Sequence, residues 1–150
     1  MHVNAVLEMD VVALEQDDSV TVMLDMTAPH LEGNNERPAQ AVIVVLDRSG
    51  SMHGRRLEAG KRALIALLDR LDGRDWFGLV AFDHQAHVVI PAQRLGDIGR
   101  QSAKLAVTHL GSGGSTDLSS GYLRGLQEAG RAHADGGTTL LVLSDGHANA

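Results

Sequence analysis

The apolar run Ala41-Val42-Ile43-Val44-Val45-Leu46, followed at once by Asp47-Arg48-Ser49-Gly50-Ser51-Met52, restricts this chain more than any other feature. A continuous apolar stretch rich in β-branched residues suits a strand buried on both faces, the usual place of a strand inside a helix-covered parallel sheet. The carboxylate and two hydroxyls that follow then fall at the strand's carboxyl end. Open α/β sheets bind their ligands outside the carboxyl ends of their strands. The same twelve residues therefore predict a fold class and a place to look for function.

The rest of the chain agrees with that class. Leu57, Leu64, Leu67, Leu68 and Leu71 recur at helical spacing, with Lys61, Arg62, Asp69 and Arg70 on other faces. This is the pattern of an amphipathic helix covering a sheet. Residues 77–82 and 86–90 read as two further strands, and the short join Asp83-His84-Gln85 predicts a hairpin, hence one antiparallel strand at the sheet edge. A weaker helical stretch over 98–109, a glycine-rich loop at 111–115, a helix over 118–134 and a buried strand over 138–143 complete the order. Strands alternating with helices predict an α/β fold with a mostly parallel sheet and helices on both faces.

Residues 1–38 differ from this pattern. Val20, Val22, Leu24 and Met26 fall on one face, with Thr21, Asp25 and Thr27 on the other, which Met23 interrupts, and an earlier run over 3–14 is joined to them by the polar turn 15–19. That predicts a small antiparallel β appendage, followed by a linker rich in Asn, Glu and Pro over 29–40. The expected organisation is an appendage and linker over 1–38 and an α/β domain over 39–150.

Composition narrows the function classes. A chain of 150 residues with 43% apolar and 21% charged residues is of a size and kind to build one domain with a real core. The formal charge is −6 and no basic block occurs, which argues against a nucleic-acid partner. The chain has no cysteine, which excludes disulfides, thiolate-bound zinc and a cysteine nucleophile. Residues 1–10 lack the basic-then-apolar order of a secretory signal, and no apolar run approaches the roughly 20 residues needed to span a bilayer. The expected location is cytoplasmic, away from membranes.

Two later segments join the first in one chemistry: Gly113-Gly114-Ser115-Thr116-Asp117, and Ser144-Asp145-Gly146 after the last apolar run. The hydroxyls of Ser49, Ser51 and Thr116 and the carboxylates of Asp47 and Asp145 are hard oxygen donors, as magnesium requires; manganese or calcium are alternatives. Gly50 is expected to make the sharp turn that aims both serines inward, and Gly113 and Gly114 to let the second loop approach closely. Neutral hydroxyls donate weakly, so a cation held by them stays electrophilic and is expected to leave one position for a partner's Asp or Glu. Taken alone, Asp47 and Ser51 are equally good turn and helix-cap residues. Their conjunction with Thr116 and Asp145 favours the metal. Asp117 is expected to cap the following helix. His53 and His147 each follow a metal-site loop and are expected at its rim, whereas His84 and His87 are not expected to converge on zinc. The glycine-rich loop lacks the Lys-Ser/Thr pair of a nucleotide-binding P-loop.

Asp47-x-Ser49-x-Ser51, then Thr116 before Asp117, then Asp145 in Leu-Val-Leu-Ser-Asp-Gly, resemble the metal-ion-dependent adhesion site of von Willebrand factor type A domains. The stretch 46–52 is similar to the bacterial intracellular branch, where Asp-x-Ser-Gly-Ser-Met is usual. The resemblance covers about residues 38–150. It implies a Rossmann-like fold, a magnesium-type ion at the five matched positions, and protein binding rather than catalysis, in some members beside ATPases of the chelatase and chaperone kind. Family domains usually continue for two more strands with their helices beyond the position of Asp145, so the chain is expected to be a C-terminally incomplete piece of a longer protein.

Two other readings compete. A metal-assisted phosphatase or hydrolase would use Asp47 as nucleophile, but wants a carboxylate two positions on, where Ser49 stands, and a basic group at the site. Arg48 is expected to point away. A structural assembly subunit would use its metal for stability alone.

Overall fold

The computed structural model describes residues 2–7, 22–27 and 37–146. Two compact units divide the chain, Met1–Glu36 and Arg37–Ala150. In the first, β1 (His2–Leu7) pairs antiparallel with β2 (Val22–Thr27), from His2 opposite Thr27 to Leu7 opposite Val22. The turn expected at 15–19 lies outside the described residues.

In the second unit β3 (Ala41–Asp47) is flanked in parallel by β4 (Trp76–Phe82) and β6 (Thr138–Leu143). β5 (Ala86–Arg94) runs antiparallel to β4 at the edge, so the order is β5-β4-β3-β6. The expected α/β architecture, mostly parallel with one antiparallel edge strand, is what the chain adopts. Ala41 and residues 43–46 are wholly buried, as continuous apolarity requires. Because side chains alternate along a strand, Val44 and Leu46 face one way and Val45 the other. The first pair joins a cluster with Leu64 and Leu68 of α1 (Arg55–Arg70) and Ala103 and Val107 of α3 (Arg100–Thr108). Val45 packs with Val80 and Phe82 on the opposite face, under α4 (Leu118–Ala129).

Four boundaries or burials differ from the sequence expectations, each for a local reason. The helix expected over 98–109 is two, α2 (Leu95–Ile98) and α3, separated by Gly99 at φ 78°, a conformation that ends the first helix. β5 continues past residue 90 through Pro91, which an edge strand tolerates because no neighbour needs its missing N–H. α4 stops at Ala129 rather than 134, where the amides of Arg131 and Ala132 tighten onto the carbonyls of Glu128 and Ala129 three residues back. β6 has the expected bounds but not the expected burial. Among the described residues it pairs with β3 alone, and Leu141 and Val142 are each 38% exposed.

The leucines of α4 are not what docks it. Gly121 and Gly125 face the sheet, while Leu123 and Leu126 are exposed. A Cβ on Gly125 would fall 2.3 Å from Val45 Cγ2. The helix therefore lies against the strands through bare backbone, which brings its amino-terminal loop, residues 113–117, to the carboxyl end of β3.

Candidate metal centre

β3 delivers Asp47 to the sheet's carboxyl edge with no solvent exposure. Its Oδ1 accepts a 2.8 Å hydrogen bond from the Ser49 amide, an Asx turn that bends the chain away from the strand direction. A single 3₁₀ turn follows over Gly50–Met52, closed by the Met52 amide on the Ser49 carbonyl at 3.0 Å. This turn brings the hydroxyls of Ser49 and Ser51 within 3.2 Å of each other. From the end of β6, Asp145 Oδ1 accepts from Ser51 Oγ at 3.2 Å, and the Ser144 hydroxyl donates to Asp47 Oδ2 at 2.7 Å. Asp47, Ser49, Ser51 and Asp145 thus form one connected set drawn from two strand ends.

Thr116 arrives on the third loop. The Gly50 amide donates to the Gly114 carbonyl at 2.7 Å, the Gly113 amide to the Arg48 carbonyl at 2.6 Å, and the Asp117 amide to the Asp83 carbonyl at 2.6 Å. These bonds tie the loop to the serine turn on one side and to the β4–β5 hairpin on the other. Thr116 is half-buried between them, and its hydroxyl makes no hydrogen bond among the described residues. Asp117 caps α4 as expected, its Oδ1 accepting from the Ser120 amide at 3.0 Å. The glycine expectations divide. Gly113 is needed, since a Cβ there would lie 1.9 Å from Asp83 Oδ2. Gly50 has an ordinary φ and Gly114 ordinary space, so neither is forced; the left-handed residue of this turn is Gly54, at φ 73°.

Two side chains, Asp83 and Arg56, organise the site without having stood out in the sequence. Asp83, at the end of β4, is 1% exposed, and its Oδ2 pairs with Arg48 Nη2 at 2.6 Å. Arg48 therefore turns away from the serines, as expected, but toward a definite partner. Burial pushes the Asp83 carboxyl up, while the Gln85 amide and the charges of Arg48, His84 and His87 more than reverse it, and the net pKa is lowered. The legible signal was an apolar strand ending in Asp, the same signal that marked Asp47. Arg56, in the first turn of α1, donates from Nη1 to Asp145 Oδ2 at 2.6 Å and to the Ser51 carbonyl at 3.0 Å. No spacing rule pointed to it.

The donor set can be tested against a cation by geometry. Neighbouring ligands on an octahedral magnesium, each about 2.1 Å from the ion, stand about 3.0 Å apart, and about 3.3 Å or more around calcium. The Ser49–Ser51 and Ser51–Asp145 oxygen pairs, both at 3.2 Å, match such octahedral edges. The oxygens of Ser49, Ser51 and Asp145 are thus of the type and spacing that suit a small hard cation. No group of three His, Cys, Asp or Glu side chains placed to hold a metal ion occurs among the described residues, so an all-carboxylate or imidazole cage is not what these residues build. His53 bonds through Nδ1 to Ser112 Oγ at 3.0 Å, across from the serine turn to the glycine-rich loop. His147 lies outside the described residues.

Comparison with known proteins follows the same lines. Residues 42–147 match the von Willebrand factor type A domain family. The chain is 36% identical over 119 residues to an uncharacterized protein of Synechocystis, covering 79% of this chain and 28% of that protein. It is 32% identical over 111 residues to inter-alpha-trypsin inhibitor heavy chain H4 of Bos taurus, covering 68% of this chain and 12% of that one. The chain thus spans a minor part of the length of these relatives. Among solved structures, the PilB minor pilin from Streptococcus sanguinis superimposes with a TM-score of 0.66 at 20% identity, over 89% of this chain and 35% of the pilin, a likeness of fold.

Proposed function

Since the chain belongs to the von Willebrand factor type A domain family, whose members commonly mediate protein–protein interaction, we propose that its α/β unit binds a protein partner through a divalent cation. Ser49, Ser51 and Thr116 hold a magnesium-type ion by their hydroxyls, and Asp47 and Asp145 bind it directly or through water. The ion supplies a Lewis-acid position that an Asp or Glu of the partner fills. One observation carries this reading: oxygens of Ser49, Ser51 and Asp145 meet at 3.2 Å, near the spacing of an octahedral edge, and hydroxyls outnumber carboxylates among the proposed donors. The partner belongs, by the bacterial intracellular resemblance, to a cytoplasmic ATPase-associated complex. His53, bonded to Ser112 beside the serine turn, is the rim residue proposed to meet the partner.

The hydrolase reading fares worse on geometry. Asp47 is fully buried with each carboxylate oxygen already accepting a hydrogen bond, from Ser49 and from Ser144. A nucleophile must be open to its substrate, whereas a buried carboxylate can still serve an ion through water. The Arg48 guanidinium that would bind a phosphoryl group is held by Asp83.

Calorimetric titration of manganese chloride into the full chain tests the proposal, followed by titration of a glutamate-containing peptide into apo and loaded protein. The expected result is one ion per chain and peptide binding only when loaded, both lost in Asp47→Ala with the circular dichroism spectrum retained. Metal binding without peptide binding would leave only the structural-subunit reading, and no binding to folded protein would overturn the site.

A further inference from the structure

Two contacts of the Asp145 carboxylate point in different directions. Its Oδ1 faces the Ser51 hydroxyl at 3.2 Å, on the side where the serines converge. Its Oδ2 is taken by Arg56 Nη1 at 2.6 Å, and that same nitrogen donates to the Ser51 carbonyl at 3.0 Å. Arg56 therefore bridges the end of β6 and the serine turn while standing against one of the site's two carboxylates. Its own side chain is 54% exposed, and that of Asp145 only 8%.

We infer that Arg56 is a charge-tuning residue of the cation site, holding down the affinity for the free ion and keeping a bound ion hungry for an outside carboxylate. The inference rests on the metal-dependent reading above. A carboxylate shared with a guanidinium gives less negative charge to a cation on its other oxygen, and a positive charge one carboxylate away repels a divalent ion directly. With neutral hydroxyls making up the rest of the proposed donors, Asp145 is one of the two carboxylates among them. Neutralising half of it shifts the balance toward a third anion supplied from outside. Arg56 lies in the first turn of α1, where an arginine has no stabilising interaction with the helix dipole. Its position is better accounted for by Asp145 than by the helix.

The test compares manganese titrations of wild-type protein, Arg56→Gln and Arg56→Lys at low and high salt, with thermal melts of each apo protein. Removing the charge is expected to tighten manganese binding about threefold to tenfold at low salt, as befits a partly exposed charge interaction. The difference should shrink as the Debye length contracts toward about 3 Å at 1 M salt. Arg56→Lys keeps the charge and should stay within about twofold of wild type. A purely structural strap would give the opposite sign, weaker binding in Arg56→Gln, with no salt dependence of the difference. Binding by wild type with equal or weaker binding by Arg56→Gln overturns this inference and spares the metal site. Failure of every protein to bind overturns both. Should Arg56→Gln not fold, tightened, salt-sensitive binding by an Arg56→Met protein supports the inference, and unchanged binding by that protein overturns it.

Discussion

Gly113 has no room for a side chain, because Asp83 fills the space: an added Cβ would sit 1.9 Å from Oδ2 and 2.7 Å from the aspartate's own Cβ. The Thr116 loop is therefore packed directly against the Arg48–Asp83 pair. Gly113→Ala is expected to cost about 1–3 kcal/mol in urea unfolding, as overpacking does, and to weaken manganese binding by displacing the loop. A neutral substitution would show that the loop adapts and that the docking bonds are dispensable. At this scale the meeting of Asp47, Ser49, Ser51 and Asp145 was legible from carboxylates and hydroxyls that follow two apolar strands, whereas turn and cap chemistry alone would account for Asp47 and Ser51. Asp83 was half-legible, since it also ends an apolar strand, yet its neighbours His84 and Gln85 read as a plain hairpin turn. Arg56 was not legible. A guanidinium in a first helical turn looks like a solvated face until β6 is placed beside β3, a contact between residues far apart in sequence.

Elements tell a different story from residues. α1 presents Leu57, Leu64 and Leu68 to the core, and leucine periodicity found it. For α4 the same rule points to the wrong face, since the sheet-facing stripe contains Gly121, Gly125 and Glu128. Periodicity measures hydrophobicity, and a helix that docks through glycine has none to measure on its buried side. Glu128 is wholly buried and bonds the Ala92 amide at 3.0 Å, serving the stretch of β5 beside Pro91. Gly125→Ala sets two effects against each other. Helix propensity favours alanine by about 1 kcal/mol. A Cβ 2.3 Å from Val45 Cγ2 and 2.9 Å from Leu140 Cδ1 must push the helix off the sheet, at about 1–3 kcal/mol. Net destabilisation by urea is expected, together with weaker metal binding because α4 carries the Thr116 loop. Stabilisation would mean that helix and sheet have more slack than these distances allow.

For the α/β unit as a whole, the end of the sheet remote from the metal centre is locked by one ion pair. Arg37 forks onto both oxygens of Asp75, which also accept from the amides of Gln40 and Asp72 at 3.0 and 2.7 Å. The Arg37 hydrogen bond, opposed by burial and aided by those amides, lowers the Asp75 pKa from 3.8 to about 2. A carboxyl whose folded pKa is depressed adds stability above its unfolded value and loses it as pH falls. The contribution of Asp75 should therefore be complete above about pH 4 and vanish toward pH 2. Acid unfolding followed by circular dichroism should begin at higher pH in Arg37→Ala; an unchanged acid limb would show that the pair is immaterial. The mostly parallel sheet with one antiparallel edge strand was legible at this scale, through apolar runs and one short hairpin, but the strand order was not. The burial of β6 was not, because an apolar strand reads alike whether its second side is covered or open.

Anomalous diffraction at the manganese edge from a crystal of the full chain grown with the ion bears most directly on the central claim. The account predicts one strong peak per chain about 2.2 Å from the hydroxyl oxygens of Ser49, Ser51 and Thr116, with Asp47 and Asp145 in direct or water-bridged reach. A peak elsewhere, or one at this place that omits Thr116, would contradict it.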